Sequence, residues 1–143
     1  MKRILVLVCM VLFLGSLVSV EYAAAERFVN NNNGTVTDTQ TGLMWADKDN
    51  GSDINWNNAK SYCAGYSGGG KSGWRMPTMS ELVQLHNSGA YGSVMKKTGR
   101  FIWSSETRDS EAYGFDFNLS RKAWSPQSFA SVGDRIIPVR SGK

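Results

Sequence analysis

A short basic segment in the middle of the sequence has the residue types and spacing of a site for an anionic ligand. Lys96, Lys97 and Arg100 stand within the five residues KKTGR, and cations clustered in this way suit a sulfated or carboxylated polysaccharide. The alternative is a solvated basic loop that keeps the protein soluble. We therefore predict these three residues as ligand contacts, with an anionic glycan as the partner.

A second basic pair extends the same prediction. Arg121 and Lys122 lie just before Trp124 in the sequence. An indole ring stacks on the apolar face of a sugar while neighbouring cations meet its anionic groups. Arg121, Lys122 and Trp124 thus complete the predicted ligand-binding surface. The net charge of +4 permits an anionic partner without demanding one, and no nucleic-acid partner is predicted.

Three carboxylates near residue 50 are a candidate metal site. Asp47, Asp49 and Asp53 surround Gly51 in the run DKDNGSD, and such oxygens can converge on one hard cation. Gly51 falls at the fifth place of the run, where an EF-hand loop has a ligand, and no bidentate Glu closes the run. The alternative is a solvated loop with local side-chain caps. We favour the loop, and predict neither a metal nor a cofactor.

Residues suited to catalysis are sparse. His86 is the only histidine and falls near the end of a predicted helix, where a solvated or satisfied ring is more common than a base. Ser104 and Ser105 have no base adjacent to them in the sequence. The Gly-rich run from Tyr66 to Gly73 does not open into a helix, as a phosphate-binding loop must. The sequence therefore predicts a protein that is not an enzyme.

The segment SGWRMPTMSELVQL predicts a structural corner in front of a helix. Thr78 and Glu81 have the spacing of a capping box, in which each side chain accepts a backbone amide of the other. Pro77 keeps the preceding residue extended, so the helix cannot begin earlier. Trp74 is a large apolar group, and Arg75 can lie against aromatic surface while bonding carbonyls or a carboxylate. We predict that these five residues hold the fold together.

An earlier helix is predicted from Trp56 to about Ala64. Asn55 is a favourable N-cap and Gly65 a favourable end. Trp56, Ala59 and Cys63 recur at intervals of three and four, which places them on one buried face. We therefore predict that Cys63 is a small buried apolar group; the alternative is that Cys63 forms an intermolecular disulfide.

The two ends of the chain have the pattern of strands. Residues 27–46 predict three short strands around an Asn-Gly turn. In the last third, Tyr113, Phe115 and Phe117 alternate onto one face. Residues 118–122 are predicted as a turn, and Pro138 limits the final segment to a sheet edge or a ladder end.

The first 25 residues have the pattern of a signal peptide. Lys2 and Arg3 precede an apolar run from Ile4 to Val20, and the Ala triplet at 23–25 is a small-residue cleavage site. An uncleaved membrane anchor is the alternative, because the run is near the lower length limit for a span. We predict cleavage before Glu26, export to the periplasm, cell surface or medium, and no further membrane span. Residues 26–143 are then enough for a single domain.

Five ordered motifs connect the chain to a known family. NNNNGTVTDTQTGLMW, WNNAKSYC, GWRMPTMSEL, FIWSSE and PVRSG follow one another in the order and spacing of the Lcl C-terminal domain family. The sequence thus resembles these exported bacterial domains, named after the tip of a collagen-like adhesin, over residues 27–142. The family is similar to the C-type lectin-like superfamily and to formylglycine-generating enzymes.

This resemblance implies an α+β, C-type lectin-like fold. It implies a mixed, mostly antiparallel sheet with two helices, a long loop region and paired chain ends, and it places residues 75–78 between the second helix and the sheet. Two departures limit what is implied. Pro138 stands where some members have a cysteine, so the disulfide to the first helix is missing. The calcium signature of lectins is also missing, so calcium-dependent sugar binding is not implied.

The function expected from residues and resemblance together is an exported, non-catalytic binding or adhesion module for anionic polysaccharide. The alternative is a structural envelope subunit that docks on another protein. Such a subunit would carry an exposed apolar patch, which we place around Tyr91 and Phe101. A hydrolase or a modifying enzyme is the least favoured class.

Overall fold

A computed structural model describes residues 26–143. The predicted signal peptide, residues 1–25, lies outside the described residues. Within residues 26–143, no helix is long and apolar enough to cross a membrane.

The described chain is an α+β structure of two α-helices and eight strands. The elements in chain order are β1 Phe28–Asn30, β2 Thr35–Asp38, β3 Leu43–Ala46, α1 Trp56–Ala64, α2 Met79–Ser88, β4 Phe101–Arg108, β5 Glu111–Asp116, β6 Arg121–Pro126, β7 Asp134–Arg135 and β8 Val139–Ser141. The strands form two four-stranded sheets, in the orders β1-β2-β3-β8 and β6-β5-β4-β7. Only the β4–β7 pair among these strands is parallel. The single mixed sheet expected from the resemblance is thus two sheets.

The first sheet joins the two ends of the described chain. β1 and β2 form a hairpin whose turn includes Gly34 at a φ of 88°, a conformation that favours glycine. β3 then pairs with the C-terminal strand β8, with Trp45 opposite Val139. β8 begins directly after Pro138, which therefore lies at the end of the ladder, where a residue without an amide hydrogen is tolerated.

The second sheet contains two of the basic residues predicted to bind the ligand, Arg121 and Lys122. β4, β5 and β6 pair antiparallel, and Arg121 and Lys122 lie opposite Asp116 and Phe115 in the β5–β6 ladder. The predicted turn over residues 118–122 is therefore too long. It ends at Ser120, because the cross-strand pairing continues through both basic residues.

Two apolar clusters fill the core. The larger one contains Leu82 and Leu85 of α2 together with Trp45. The smaller one packs Ala59 and Cys63 of α1 against the second sheet. Burial raises the pKa of the Cys63 thiol to about 12, so this side chain is a protonated apolar group at neutral pH.

The apolar patch expected around Tyr91 and Phe101 is not on the surface. Each residue is only 7% exposed and belongs to the core. The Tyr91 ring packs edge-on against Phe117 at 4.8 Å between centroids, and the Phe101 ring packs edge-on against Trp103 at 5.0 Å. The predicted mark of a docking subunit is thus wrong at these two positions.

Candidate functional site

A buried carboxylate holds the predicted basic segment in place. Asp49 is 2% exposed, and it accepts hydrogen bonds from the Thr98 amide at 2.7 Å, from the Thr98 hydroxyl and from the Tyr91 hydroxyl at 2.6 Å. Burial acts to raise the pKa of Asp49, but the bonds from Thr98 and Tyr91 outweigh it, and the pKa lies below its ordinary value. The expectation of a solvated loop is therefore wrong at Asp49, because tertiary contacts enclose it.

Arg135 links the other acidic residue of this loop to the same segment. Its guanidinium donates to Asp53 at 2.5 Å and to the Thr98 hydroxyl at 3.0 Å, and it lies 3.9 Å from Asp49. The carboxylates proposed as calcium ligands thus accept hydrogen bonds from protein donors. Asp47 stands apart from them, with its Oδ1 buried and unpartnered.

No three His, Cys, Asp or Glu side chains between residues 26 and 143 are grouped so as to hold one metal ion. Sequence reasoning did not single out Arg135. It lies 82 residues from Asp53 and 37 from Thr98, so no local pattern points to their contact.

The structure brings the two predicted basic segments together. Lys97 donates to Asn118 at 2.7 Å, and the Phe117 amide donates to the Arg100 carbonyl at 2.7 Å. The loop that carries Lys97 and Arg100 therefore lies against the turn between β5 and β6. We call the end of the second sheet at this turn the basic end. Its five exposed cations are Lys96, Lys97, Arg100, Arg121 and Lys122.

A shallow hollow of about 170 Å³ opens at the basic end. Arg100 and Arg121 line it together with the carboxylates of Asp116 and Asp134. Asp116 lies 3.5 Å from Arg100 and accepts the amides of the following turn at 2.9 Å. Burial raises the pKa of Asp134. The hollow thus contains two cations and two carboxylates, and three of the five cations of the basic end lie outside its lining.

The ring of Trp124, predicted to stack on a sugar, already contacts two other side chains. It stacks on Tyr113 at 4.2 Å with an interplanar angle of 9°. The guanidinium of Arg108 lies 4.3 Å from the centroid of the same ring. Because side chains alternate along a strand, Lys122 and Trp124 share one face of β6 and Arg121 takes the other. A sugar stacked on Trp124 would have to replace one of the ring's present contacts.

The WRMPT segment has the geometry of a corner. Arg75 donates to Glu81 through both terminal nitrogens, at 2.7 and 2.9 Å. Thr78 and Glu81 make both hydrogen bonds of a capping box at the start of α2. The backbone of Arg75 exchanges two hydrogen bonds with Val139, at 2.8 and 3.0 Å. The corner thus ties α2 to the first sheet, with Trp74 buried behind it.

A larger concave surface lies beside this corner, and the sequence did not predict it. It is a groove of about 520 Å³ between α1, the 74–78 segment and the far half of β4. Its lining is Trp56, Lys60, Ala64, Trp74, Arg75, Met76, Thr78, Ser105 and Thr107. The WNNAK motif contained the signal, since Trp56 and Lys60 are one helical turn apart, but only the folded chain sets them opposite β4.

Two of the three residues considered for catalysis, Ser104 and His86, have side-chain partners. The Ser104 hydroxyl is buried and lies within hydrogen-bonding distance of the Tyr113 carbonyl, at 2.7 Å, and of the Glu106 carboxylate, at 2.9 Å. His86 lies in the last turn of α2, where its Nε2 is 3.0 Å from the Ser120 hydroxyl. These contacts join neighbouring elements to each other.

Fold and surfaces together define an α+β structure with a basic end and a separate groove. A model of the Lcl C-terminal domain matches residues 34–140, and the chain belongs to that family. The resemblance drawn from the five motifs is confirmed. No curated protein matches the sequence significantly.

Proposed function

We propose that this protein is an exported, non-catalytic binding module of the bacterial envelope that holds anionic polysaccharide at its basic end. The observation that carries the proposal is the contact between Lys97 and Asn118, at 2.7 Å. It joins two basic segments that are separate in the sequence into one surface. A polysaccharide chain with repeated anionic groups can contact several such cations at once.

The chemistry of the basic end suits sulfate or carboxylate groups on a flexible polymer. Its five cations are exposed, so they attract a polyanion through a field that salt screens. Arg121 offers a planar guanidinium that can bind an oxyanion through two parallel hydrogen bonds. Arg100 would exchange part of its contact with Asp116 for the ligand, and Asp116 would keep its two amide donors.

A C-type lectin-like relationship is the finer part of the proposal about the fold. The pairing of β3 with β8, which joins the two ends of the described chain, supports it. So do the two helices, one of which begins directly after the Arg-Met-Pro-Thr segment. Export rests on the apolar run and the Ala triplet in residues 1–25. A periplasmic, surface or extracellular location follows from the same segment.

Binding to a heparin-like sulfated polymer tests the proposal directly. We expect binding at low ionic strength, a loss of affinity when salt is raised, and no binding to an uncharged dextran of similar length. Affinity for the dextran equal to that for the sulfated polymer would contradict the proposal. So would salt-independent binding of the sulfated polymer that disappears with a chelator.

A second candidate function is docking on another envelope protein. It is favoured by one observation: Phe129 and Val132, in the loop between β6 and β7, are 57% and 84% exposed. Replacing both with Ser should abolish such docking and leave polysaccharide binding unchanged. Cross-linking in the producing cell would compare the two forms.

A further inference from the structure

We propose that the groove between α1 and β4 is a second binding site, which takes a sugar residue that carries a carboxylate. The basic end is a surface for long polyanions, whereas the groove is concave and suits one or two sugar rings. Its volume of about 520 Å³ lies within the usual range for small-molecule sites. The inference stands on the groove's own residues and does not rest on the basic end.

The apolar part of the groove offers aromatic surface rather than polar atoms. Trp56 and Trp74 both line it. The indole N–H of Trp56 donates to the Ser104 carbonyl at 2.8 Å, and that of Trp74 donates to the Lys71 carbonyl at 3.0 Å. Because both indole donors are already used, these residues offer a ligand only ring surface, and most of it comes from the half-buried Trp56, since Trp74 is 4% exposed. A pyranose ring presents a matching apolar C–H face.

The charge of the lining selects an acidic ligand. Lys60 is exposed, and its Nζ lies 5.5 Å from the centroid of the Trp56 ring. It takes part in no ion pair among residues 26–143. The second cation, Arg75, is held by both oxygens of Glu81. Since no carboxylate lines the groove, Lys60 is the group that meets the acid of a sugar stacked on Trp56.

Two hydroxyl groups complete the set that a sugar needs. Ser105 and Thr107 are exposed on β4 and line the groove. Within the described part of the chain, neither hydroxyl makes a hydrogen bond to protein. Each can therefore donate to or accept from a sugar hydroxyl opposite the aromatic side.

The walls of the groove are tied together without a ligand. Trp56 joins α1 to β4 through Ser104, and the Ser105 amide donates to the Pro77 carbonyl at 2.8 Å. A preformed site loses little conformational freedom on binding. The groove is also distant from the basic end, because the six steps along β4 from Phe101 to Thr107 correspond to about 20 Å. The two sites can therefore be tested separately.

A matched pair of small ligands tests the proposal on protein expressed from the full 143-residue sequence. Methyl glucuronide carries the carboxylate, and methyl glucoside has the same ring without it. Titrations into the tens of millimolar range are followed through the indole N–H signals in ¹H–¹⁵N spectra. We expect the glucuronide to shift the signals of Trp56 and Trp74, and to bind about tenfold more tightly than the glucoside.

Variants then test whether Lys60 is the residue that contacts the carboxylate of the sugar. Lys60→Gln should remove the preference for glucuronide, while Lys71→Gln, which removes an equal charge outside the groove, should preserve it. Thr107→Val should weaken both sugars. The double variant Lys96→Ser, Lys97→Ser should leave glucuronide binding intact even if it abolishes binding of the sulfated polymer.

Three results would overturn the proposal. The first is that the two indole signals do not move with either sugar. The second is an unchanged preference for glucuronide in Lys60→Gln. The third is the loss of glucuronide binding in the Lys96→Ser, Lys97→Ser variant, which would place the acid at the basic end. Failure of the basic end alone leaves the expected indole shifts and their dependence on Lys60 in place.

Discussion

Arg75 and Glu81 are joined by two parallel hydrogen bonds of 2.7 and 2.9 Å, and the same carboxylate accepts the Thr78 amide at 2.8 Å. The hydrogen bonds that Arg75 donates to Glu81 raise the pKa of Arg75. Burial acts to raise the pKa of Glu81, but the bonds from Arg75 and Thr78 prevail and lower it. One carboxylate thus closes the helix cap and orients the arginine that faces the first sheet.

Removing that carboxylate should destabilise the fold. We expect Glu81→Ala to lower the free energy of unfolding by about 1–2 kcal/mol, because it removes one of the two hydrogen bonds of the capping box and leaves Arg75 unpaired. Urea denaturation measures the change. Glu111→Ala is the matched control, since it breaks the exposed pair with Arg108 and should cost less than about 0.5 kcal/mol. Equal losses in both variants would contradict a special role for Glu81.

Loss of the Trp74 ring should destabilise the fold more than the loss of any single charged group. The ring is 4% exposed and meets Tyr66 edge-on at 4.8 Å between centroids. Trp74→Ala should therefore cost about 3–5 kcal/mol, through lost burial and the cavity that remains. Trp74→Phe should cost less, because it keeps an aromatic group at the site. Thermal melts equal to that of the parent protein would show that the ring is not structural.

Acid should weaken the network around Asp49. Because its pKa is lower in the folded chain than in the unfolded one, Asp49 contributes stability that is present above its ordinary pKa of 3.8 and lost as the pH falls through the folded value. Asp49→Asn should lower stability at neutral pH by about 3 kcal/mol. It should also make the free energy of unfolding fall less steeply as the pH is lowered, which urea denaturation at a series of pH values measures.

Asp109→Asn is the control for that measurement. Asp109 is exposed in the turn between β4 and β5, and its positive φ of 47° suits Asn equally well. Its stability profile should follow that of the parent protein. An identical profile for Asp49→Asn would contradict the role assigned to Asp49.

The basic end should carry the affinity for sulfated polymer. The variant with Lys96, Lys97 and Arg100 all replaced by Ser should lose most binding at low ionic strength, as the parent does at high salt. Folding should be nearly unaffected, because exposed charges contribute little to stability. Chelator should change nothing. A variant that replaces exposed Lys71 and Lys143 is the net-charge control for the double variant Lys96→Ser, Lys97→Ser, which also removes two charges. Equal losses in these two double variants would show that charge alone, not this surface, governs binding.

The mature protein should begin at Glu26. The apolar run and the Ala triplet predict cleavage after Ala25. Intact-mass spectrometry of protein from the producing cell measures the N-terminus. A chain that still begins at Met1 would contradict cleavage and favour the membrane anchor.

Local chemistry made both helices predictable from the sequence. Asn55 caps α1 through its bond with the Asn58 amide, and Thr78 caps α2 within the box it forms with Glu81. These contacts join residues three apart, so the signals lie within a few letters of one another. The hairpin at Gly34 was equally visible, because few residues other than glycine adopt its backbone conformation.

The candidate sites were only partly predictable. The sequence supplied the cations of the basic end, but Asn118, which anchors Lys97, was considered only as part of a turn. It also supplied Trp56 and Trp74 as core residues of separate motifs. Their place in one groove depends on how α1 crosses β4, which no local pattern encodes.

The sequence by itself determined the family, the limits of α1, the start of α2 and the buried face that contains Cys63, because each depends on neighbours in the chain or on ordered motifs. The tertiary structure alone decided the burial of Asp49, Tyr91 and Phe101, and the division of the strands into two sheets. Asp49 lies 49 residues from Thr98 and 42 from Tyr91. Whether such a carboxylate is solvated or enclosed depends on which distant donors folding brings to it, because only paired polar groups can be buried at low cost.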